Sequence, residues 1–286
     1  PLTRPLPKPM NALQKLLRTI HYRLRSSLDL PTHSQSELLY RLNRLPEPSI
    51  PHPEFPFPWG PVEYRSAAVL RGQFTEIFAD RHYAFTPSHP HPVIIDAGGN
   101  IGMSAIWFQQ NYPLADITVY EADPDLIPII LKNFAAAHLP NIHLHHAAVW
   151  TSNGTVSFNN AGLDQGSVSS SAALQVPSID LASHLPPHVD LLKLDIEGAE
   201  YPLIQHLCST RAIQKVQRLV AEFHLQRHEI DRFLLALSQL RDAGMEVSLT
   251  AALGPWLGNA PLPSPFEIVA HHQGLVEVYA WRPHHL

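Results

Sequence analysis

Twelve residues, Val93 to Ser104 (VIIDAGGNIGMS), constrain this chain more than any other stretch. Three consecutive β-branched residues run into an acid, Asp96, and a glycine-rich turn then opens a helix-compatible segment. That order is how the first strand of an open parallel sheet delivers its carboxyl end to a ligand. Downstream, strand-like and helix-like segments alternate: a helix through about Tyr112, a strand Ile117–Tyr120, a helix Pro124–Ala137 and a strand Ile142–His145. Further on come a strand Asp190–Leu194, a helix from about Glu200, a strand Val216–Phe223, a helix Arg227–Ala243 and a strand Met245–Leu249. Alternation of this kind implies a doubly wound α/β fold, a mostly parallel sheet with right-handed crossovers. Phe266–Ala270 and Leu275–Trp281 flank His272-Gln273-Gly274 and are expected to close the chain as an antiparallel hairpin. Thr155–Phe158 reads as a short strand, and Gly162–Ser171 as a mobile loop by composition.

The region before this core is different. Leu13, Leu16, Leu17, Ile20, Leu24 and Leu28 recur at helical spacing opposite Lys15, Arg18, Arg23 and Arg25, a basic amphipathic helix suited to an anionic membrane surface, a partner or its own domain. Ser34 or Ser36 is placed to cap a second helix over Leu38–Leu45. Seven prolines between Pro46 and Pro61 enclose Phe55, Phe57 and Trp59, which predicts an extended linker pinned by its aromatics. Val62–Leu70 has strand character, and Phe74–Tyr83 reads as a short helix. The expected organisation is an N-terminal helical and proline-rich extension over residues 1–60 and a catalytic domain over 61–286, with the N-terminal helices a route to a homo-oligomer.

A net charge of −5 disfavours a nucleic-acid partner. The single cysteine, Cys208, rules out an intramolecular disulfide and suits a reducing compartment. No apolar run reaches the ~20 residues of a membrane span, and no secretory signal pattern is visible. A cytoplasmic protein without stable membrane insertion is therefore expected.

Four motifs carry chemistry. The glycine turn reads Asp96-x-Gly98-Gly99-Asn100-x-Gly102, not the G-x-G-x-x-G of dinucleotide folds. An acid ahead of the glycines would repel a pyrophosphate but suits a ligand carrying an ammonium group, such as the methionine half of S-adenosylmethionine. The glycines would let the backbone approach that ligand, with Asn100 and Ser104 donating to its carboxylate. Glu121 ends the next strand, 25 positions on, where an acid accepts hydrogen bonds from ribose hydroxyls; capping of the following helix is the structural alternative. In DLLKLDIEGAE, Lys193 lies in a strand buried on both faces. An unpaired ammonium there is costly, so Asp195, Glu197, Glu200 or Glu222 is expected to compensate it. Finally, His224 of AEFH would point into the ligand crevice. It is a candidate base for a substrate hydroxyl, unless it is simply one of many surface histidines. Asp195, Glu222 and His224 offer a second possibility, a divalent-cation site, although nothing else demands a metal and none is assigned.

DAGGNIG, VYEADP, HHAAVWTSNGTVSF, LLKLDIEGAE and AEFH resemble, in this order and spacing, the FkbM family of S-adenosylmethionine-dependent methyltransferases. The resemblance runs from about Phe74 to His224. It implies a seven-stranded Rossmann-like sheet, S-adenosylmethionine as cofactor and O-methylation of a hydroxyl on a small natural product or sugar. By motif position it implies that Asp96, Gly98, Asn100 and Gly102 hold the methionine half, and Gly99 and Ser104 of the same turn are further candidates for cofactor binding. Glu121 and Ala122 would hold the ribose, and Ala148 would border the adenine. Asp195 would serve both cofactor binding and catalysis, beside Glu222 and His224. Gly99 replaces the alanine more usual in the family. The rival readings are an NAD-dependent oxidoreductase, disfavoured by Asp96, and a non-catalytic protein that keeps the cofactor fold.

Overall fold

The computed structural model describes residues 32–139, 142–160, 166–168, 174–225, 227–252 and 274–283. The amphipathic segment before Leu28, the segment Phe266–Ala270 and most of Gly162–Ser171 lie outside them. Its centre is a seven-stranded sheet in the order β12-β13-β11-β10-β3-β4-β5. The strands are β3 Val93–Ala97, β4 Asp116–Glu121, β5 His143–His146, β10 Leu191–Leu194, β11 Arg218–Leu225, β12 Glu246–Ala252 and β13 Gly274–Trp281. From β3 the chain winds outward through β4 and β5, then returns to build β10 and β11 on the other side. This reversal opens a crevice between β3 and β10 at their carboxyl ends, the usual ligand position in such sheets.

Of the expected closing hairpin, Leu275–Trp281 falls in β13 and is antiparallel as expected, while Phe266–Ala270 lies outside the described residues. Strand β13 inserts between β11 and β12 and runs antiparallel to both. Among the described residues, β13 is the strand of this sheet that breaks the parallel pattern. Local periodicity identifies a strand but not the edge it will enter, and here β11 offers eight residues of register to β13.

Both faces of the sheet are covered, which explains the near-continuous apolar strands. Ile94 turns to one core with Phe74, Ile106, Phe108 and Ile130. Ile95, its neighbour, turns to the other with Leu203, Ile204, Phe223 and Phe233. Helix α3, Met103–Asn111, is buried from Met103 through Gln109, so it has no solvent face to show a 3.6-residue pattern. The helices Ile127–Ala136 (α4), Glu200–Ser209 (α6) and Ile230–Asp242 (α7) are amphipathic and lie nearer the outside.

The N-terminal part is more structured than a linker. Helix α1, Thr32–Leu42, buries Leu38 and Leu42 in the first core. The proline-rich stretch forms a hairpin, β1 Glu54–Phe57 with β2 Gly60–Glu63. Its aromatics anchor it as expected: Phe57 stacks on Trp59 at 4.6 Å, Trp59 on Phe78 at 4.7 Å, and Phe74 on Phe78 at 5.4 Å. Gly60 sits at φ +135°, and a Cβ there would collide with the Ala136 carbonyl, so the turn needs glycine.

The strand expected over Val62–Leu70 ends at Glu63. Ser66 caps helix α2, Ala67–Gln73, by accepting from the Val69 N–H at 3.3 Å, while Glu47 accepts from the Ala67 and Ala68 N–H groups. Ser66 is thus the local cap, and a side chain 20 residues upstream satisfies two further N–H groups of the first turn. The helix continues as a π-helical turn, Phe74–Ala79, which buries Phe74, Ile77 and Phe78 as their spacing predicts.

A second sheet, order β6-β9-β7-β8, comprises β6 Ala148–Trp150, β7 Gly154–Asn160, β8 Gly166–Val168 and β9 Leu174–Asp180. Part of the expected loop is therefore strand β8. Strand β9 carries Pro177, which argues against an interior strand, yet it lies between β6 and β7.

Truncating the central ring of the aromatic stack tests whether the hairpin belongs to the cooperative core. Trp59→Ala should lower unfolding free energy by about 3–5 kcal/mol in urea denaturation. An unchanged midpoint would separate the hairpin from the domain.

Candidate active site

The carboxyl edge of β3, β4 and β10 is assembled around Lys193. Parallel register sets Lys193 beside Asp96. The Lys193 ammonium donates to the Gly98 carbonyl at 2.6 Å and lies 3.2 Å from Asp96 and 3.4 Å from Asp195. Burial lowers its proton affinity, but the carboxylates of Asp96 and Asp195 more than offset this and hold it above the usual lysine range. The principal counter-charge is thus Asp96, which was absent from the expected candidates, together with Asp195, which was among them. Glu200 instead accepts the Ile196 and Gly198 N–H groups, each at 2.8 Å, and shapes the turn after β10.

The glycines also meet a demand within the protein. Gly98 has φ +86°, and a Cβ there would run into the Asp195 carbonyl. At Gly99 it would strike the Val119 side chain, and at Gly102, φ +89°, the Phe134 ring at 2.8 Å. All three are demanded by close approach within the protein, which draws the ends of β3, β4 and β10 together. Asp96 and Ser104 also sit deeper than expected. Both are buried, and Ser104 Oγ donates to Asp96 at 2.5 Å, which leaves the serine to orient the acid that faces Lys193.

A cleft opens beside this network, between the main sheet and the second one. Of the residues singled out from sequence, Gly98, Asn100, Glu121, Ala122, Ala148 and Asp195 line it, whereas Asp96, Gly99, Gly102 and Ser104 stand behind it. Glu121 accepts the Asn100 and Asp123 N–H groups at 2.8 Å each, one on each carboxylate oxygen. Burial raises its carboxyl to about 7. Each oxygen keeps a further lone pair, so the group suits a ligand with paired hydroxyl donors. Across from it, Ala122, Leu126, Ala147, Ala148 and Phe158 form an apolar wall. Phe158 and Ala147 escaped the sequence reading because the second sheet brings them there; a strand pattern alone carries no sign of which sheet it will join.

Glu197 connects the cleft to His224. It lines the cleft, adopts φ +55°, and lies 3.3 Å from His224 Nε2; Glu222 lies 3.6 Å from the same nitrogen. Burial lowers the His224 proton affinity, and its Nδ1 is buried with no hydrogen-bond partner. Burial and the nearby Asp195 raise Glu197 to about 8, and burial with Asp195, Glu76 and Glu277 raises Glu222 to about 9. At neutral pH the two glutamates are therefore largely protonated and His224 is neutral, so their contacts are not ion pairs. Asp195, Glu222 and His224 do not bring ligand atoms together at metal spacing. His143, His145 and His146 also have separate neighbours: Asp116, the Tyr120 ring and the Ala122 carbonyl.

A doubly wound sheet with a cleft at its switch point, an acid ending β4 and an apolar wall defines a nucleotide-type cofactor domain. The family can then be assigned. Residues 96–247, over half of the chain, match the methyltransferase FkbM domain, and the chain belongs to that family. It is a methyltransferase, and the oxidoreductase alternative is set aside. Among characterised relatives, it is 24% identical over 172 residues to Methyltransferase 1 of Beauveria bassiana, covering 49% of this chain and 69% of that protein. It is 32% identical over 76 residues to Methyltransferase sdnD of Sordaria araneosa, covering 26% of this chain and 29% of that protein. Among solved structures it aligns with a methyltransferase FkbM from Methylobacillus flagellatus, at 14% identity and TM-score 0.45, covering 71% of this chain and 47% of that one. A putative O-methyltransferase from Klebsiella pneumoniae aligns at 14% identity and TM-score 0.41, covering 94% and 99%. The assignment rests on the family match. Among the described residues, no helix is long and apolar enough to cross a membrane.

The buried acids give a signature in pH. A carboxyl whose folded value exceeds its ordinary 4.5 leaves the folded chain with more bound protons between the two values. Stability therefore falls as pH rises through that window. Glu121 and Glu200, at about 7, contribute up to neutrality, and Glu222 contributes up to about 9. Melting temperature should drop between about pH 5 and pH 9, and Glu222→Gln, which keeps the neutral form, should shallow that drop. Parallel profiles for the two proteins would place the Glu222 proton elsewhere.

Proposed function

We propose that the protein transfers the methyl group of S-adenosylmethionine to a hydroxyl oxygen of a small natural product or sugar, and that His224 takes the hydroxyl proton. The observation that carries the reading is the cleft itself: Glu121, the apolar wall and Glu197 line it, and His224, outside the lining, lies 3.3 Å from Glu197. Glu121, with its free lone pairs, would hold the ribose hydroxyls. Ala122, Ala148 and Phe158 would flank the adenine, and Gly98, Asn100 and Asp195 would face the methionine half. When bound, S-adenosylmethionine supplies a sulfonium-activated methyl group.

The chain's own part is positioning and proton transfer. Lys193 holds Asp96, Gly98 and Asp195 in one arrangement, so the cleft is set before a ligand arrives. Burial makes His224 less basic than an ordinary imidazole, so it is neutral and able to accept the proton that an acceptor hydroxyl must lose. The hydroxyl class is supported by the family resemblance and by a histidine able to take the proton that a weak nucleophile must shed.

Calorimetry with adenosylhomocysteine tests the cofactor half. Binding should be measurable below ~100 µM, and Glu121→Ala should weaken it about tenfold or more. No heat at that concentration would refute the cofactor assignment. Methyl transfer from labelled S-adenosylmethionine to a panel of phenols and sugars tests the base. His224→Ala should lower turnover about 10²-fold while adenosylhomocysteine affinity stays unchanged. Full turnover in that variant would remove His224 from the chemistry.

A further inference from the structure

The opposite edge of the sheet carries a second constellation, remote from the cleft. Asp190 immediately precedes β10 and is completely buried. Its Oδ2 accepts the Val93 N–H at 2.8 Å, which fixes the orientation of the carboxylate at the entry of β3. Its Oδ1 has no hydrogen-bond partner, an arrangement that costs free energy unless something binds there. Two histidines face it. His188, two residues upstream, sets Nε2 3.4 Å from Oδ1. His89, from the loop before β3, sets Nε2 3.3 Å from Oδ2. The imidazole rings are 6.0 Å apart and inclined at 51°, so they do not stack.

One ligand atom from each of these side chains can be chosen so that all lie within 4.8 Å of one another. Among the described residues, no other group of histidines, cysteines and acids does this. In a tetrahedral shell with zinc–nitrogen and zinc–oxygen bonds of about 2.0–2.1 Å, adjacent donor atoms sit roughly 3.3–3.5 Å apart. The His188 Nε2–Oδ1 separation of 3.4 Å falls at that value, while His89 Nε2 stands 3.3 Å from the other oxygen, Oδ2, and has to shift toward Oδ1 to complete the set. Both histidines approach through Nε2, which leaves each Nδ1 for an outer partner or water. Their side chains are 41% and 45% exposed, so an ion can enter from solvent.

We propose that His89, His188 and Asp190 bind a divalent transition-metal ion, with Zn²⁺ the best match to two imidazoles and a carboxylate. Asp190 Oδ1 is the carboxylate ligand, and the Val93 N–H on Oδ2 is the outer contact that orients it. The ion fastens the His89 loop to the entry of β10. Asp190 and Asp195 are separated by five residues of extended chain, roughly 16 Å, so the metal acts as a staple for the sheet and takes no part at the cleft. The competing arrangement is a plain pair of protonated histidines around an aspartate, which requires no metal.

The full chain, stripped with a chelator, should bind one Zn²⁺ from a ZnCl₂ titration with a dissociation constant below ~10 µM, and its melting temperature should rise with the metal. His89→Gln combined with His188→Gln should weaken binding at least about tenfold and abolish the melting shift. Replacing His143, His145 and His146 by glutamine should leave both intact. Both altered side chains are partly exposed, so the double variant should melt with metal-free wild type. Should it fail to fold, Co²⁺ added to wild type decides independently, because tetrahedral Co²⁺ absorbs strongly in the visible and octahedral or free Co²⁺ does not. No Zn²⁺ binding below ~100 µM, equal binding in the His89/His188 variant, or only weak octahedral Co²⁺ bands would each overturn the proposal.

Discussion

A single buried ammonium holds the active end of this protein together. Lys193 reaches out of β10 to the Gly98 carbonyl, to Asp96 on β3 and to Asp195 beyond its own strand. A charge so deeply buried persists only if opposite charges and lone pairs surround it. Meeting that demand locks the glycine turn, the first strand and the loop after β10 into one body. The glycines complete the lock from the other direction, because a side chain at Gly98 would push the turn off Asp195. The cleft inherits its shape from this knot.

Around it the sheet edge is crowded with acid. Glu76, Glu197 and Glu222 converge with Asp195 in a region too dry to ionise them all, so protons stay on at neutral pH. Histidine is treated oppositely according to its surroundings. His82 donates to the Glu277 carboxylate at 2.7 Å and is held more basic, whereas burial makes His224 less basic. A catalytic domain can thus keep an acid-rich edge without a large field of negative charge. A neutral imidazole in that setting is a competent proton acceptor.

Much of the fold was legible because long-range and local demands agree. The strands β3, β4, β10 and β11 are apolar on both faces, so they read as strands wherever they end up. The seven-stranded sheet and its family also followed from the motifs. What failed did so where a distant residue intervened. At helix α2, where a strand was expected, Glu47 reaches from 20 residues upstream to accept two N–H groups beside the Ser66 cap. Strand β13 entered between two others, and β9 took an interior place despite Pro177.

The candidate site divides in the same way. The sequence by itself determined which residues were chemical: an acid before the glycines, an acid ending the next strand, a lysine in a buried strand and a histidine after another. Those are statements of residue type and order, and burial of an unpaired charge makes them conspicuous. Only the tertiary structure decided who faces whom. Parallel register, invisible in one strand, put Asp96 opposite Lys193 and made it a buried counter-ion. Packing of the second sheet brought Phe158 to the cleft, and the meeting of two loops set His89 against Asp190. Spacing along the chain ranks candidates, but contact is a property of how strands are placed side by side.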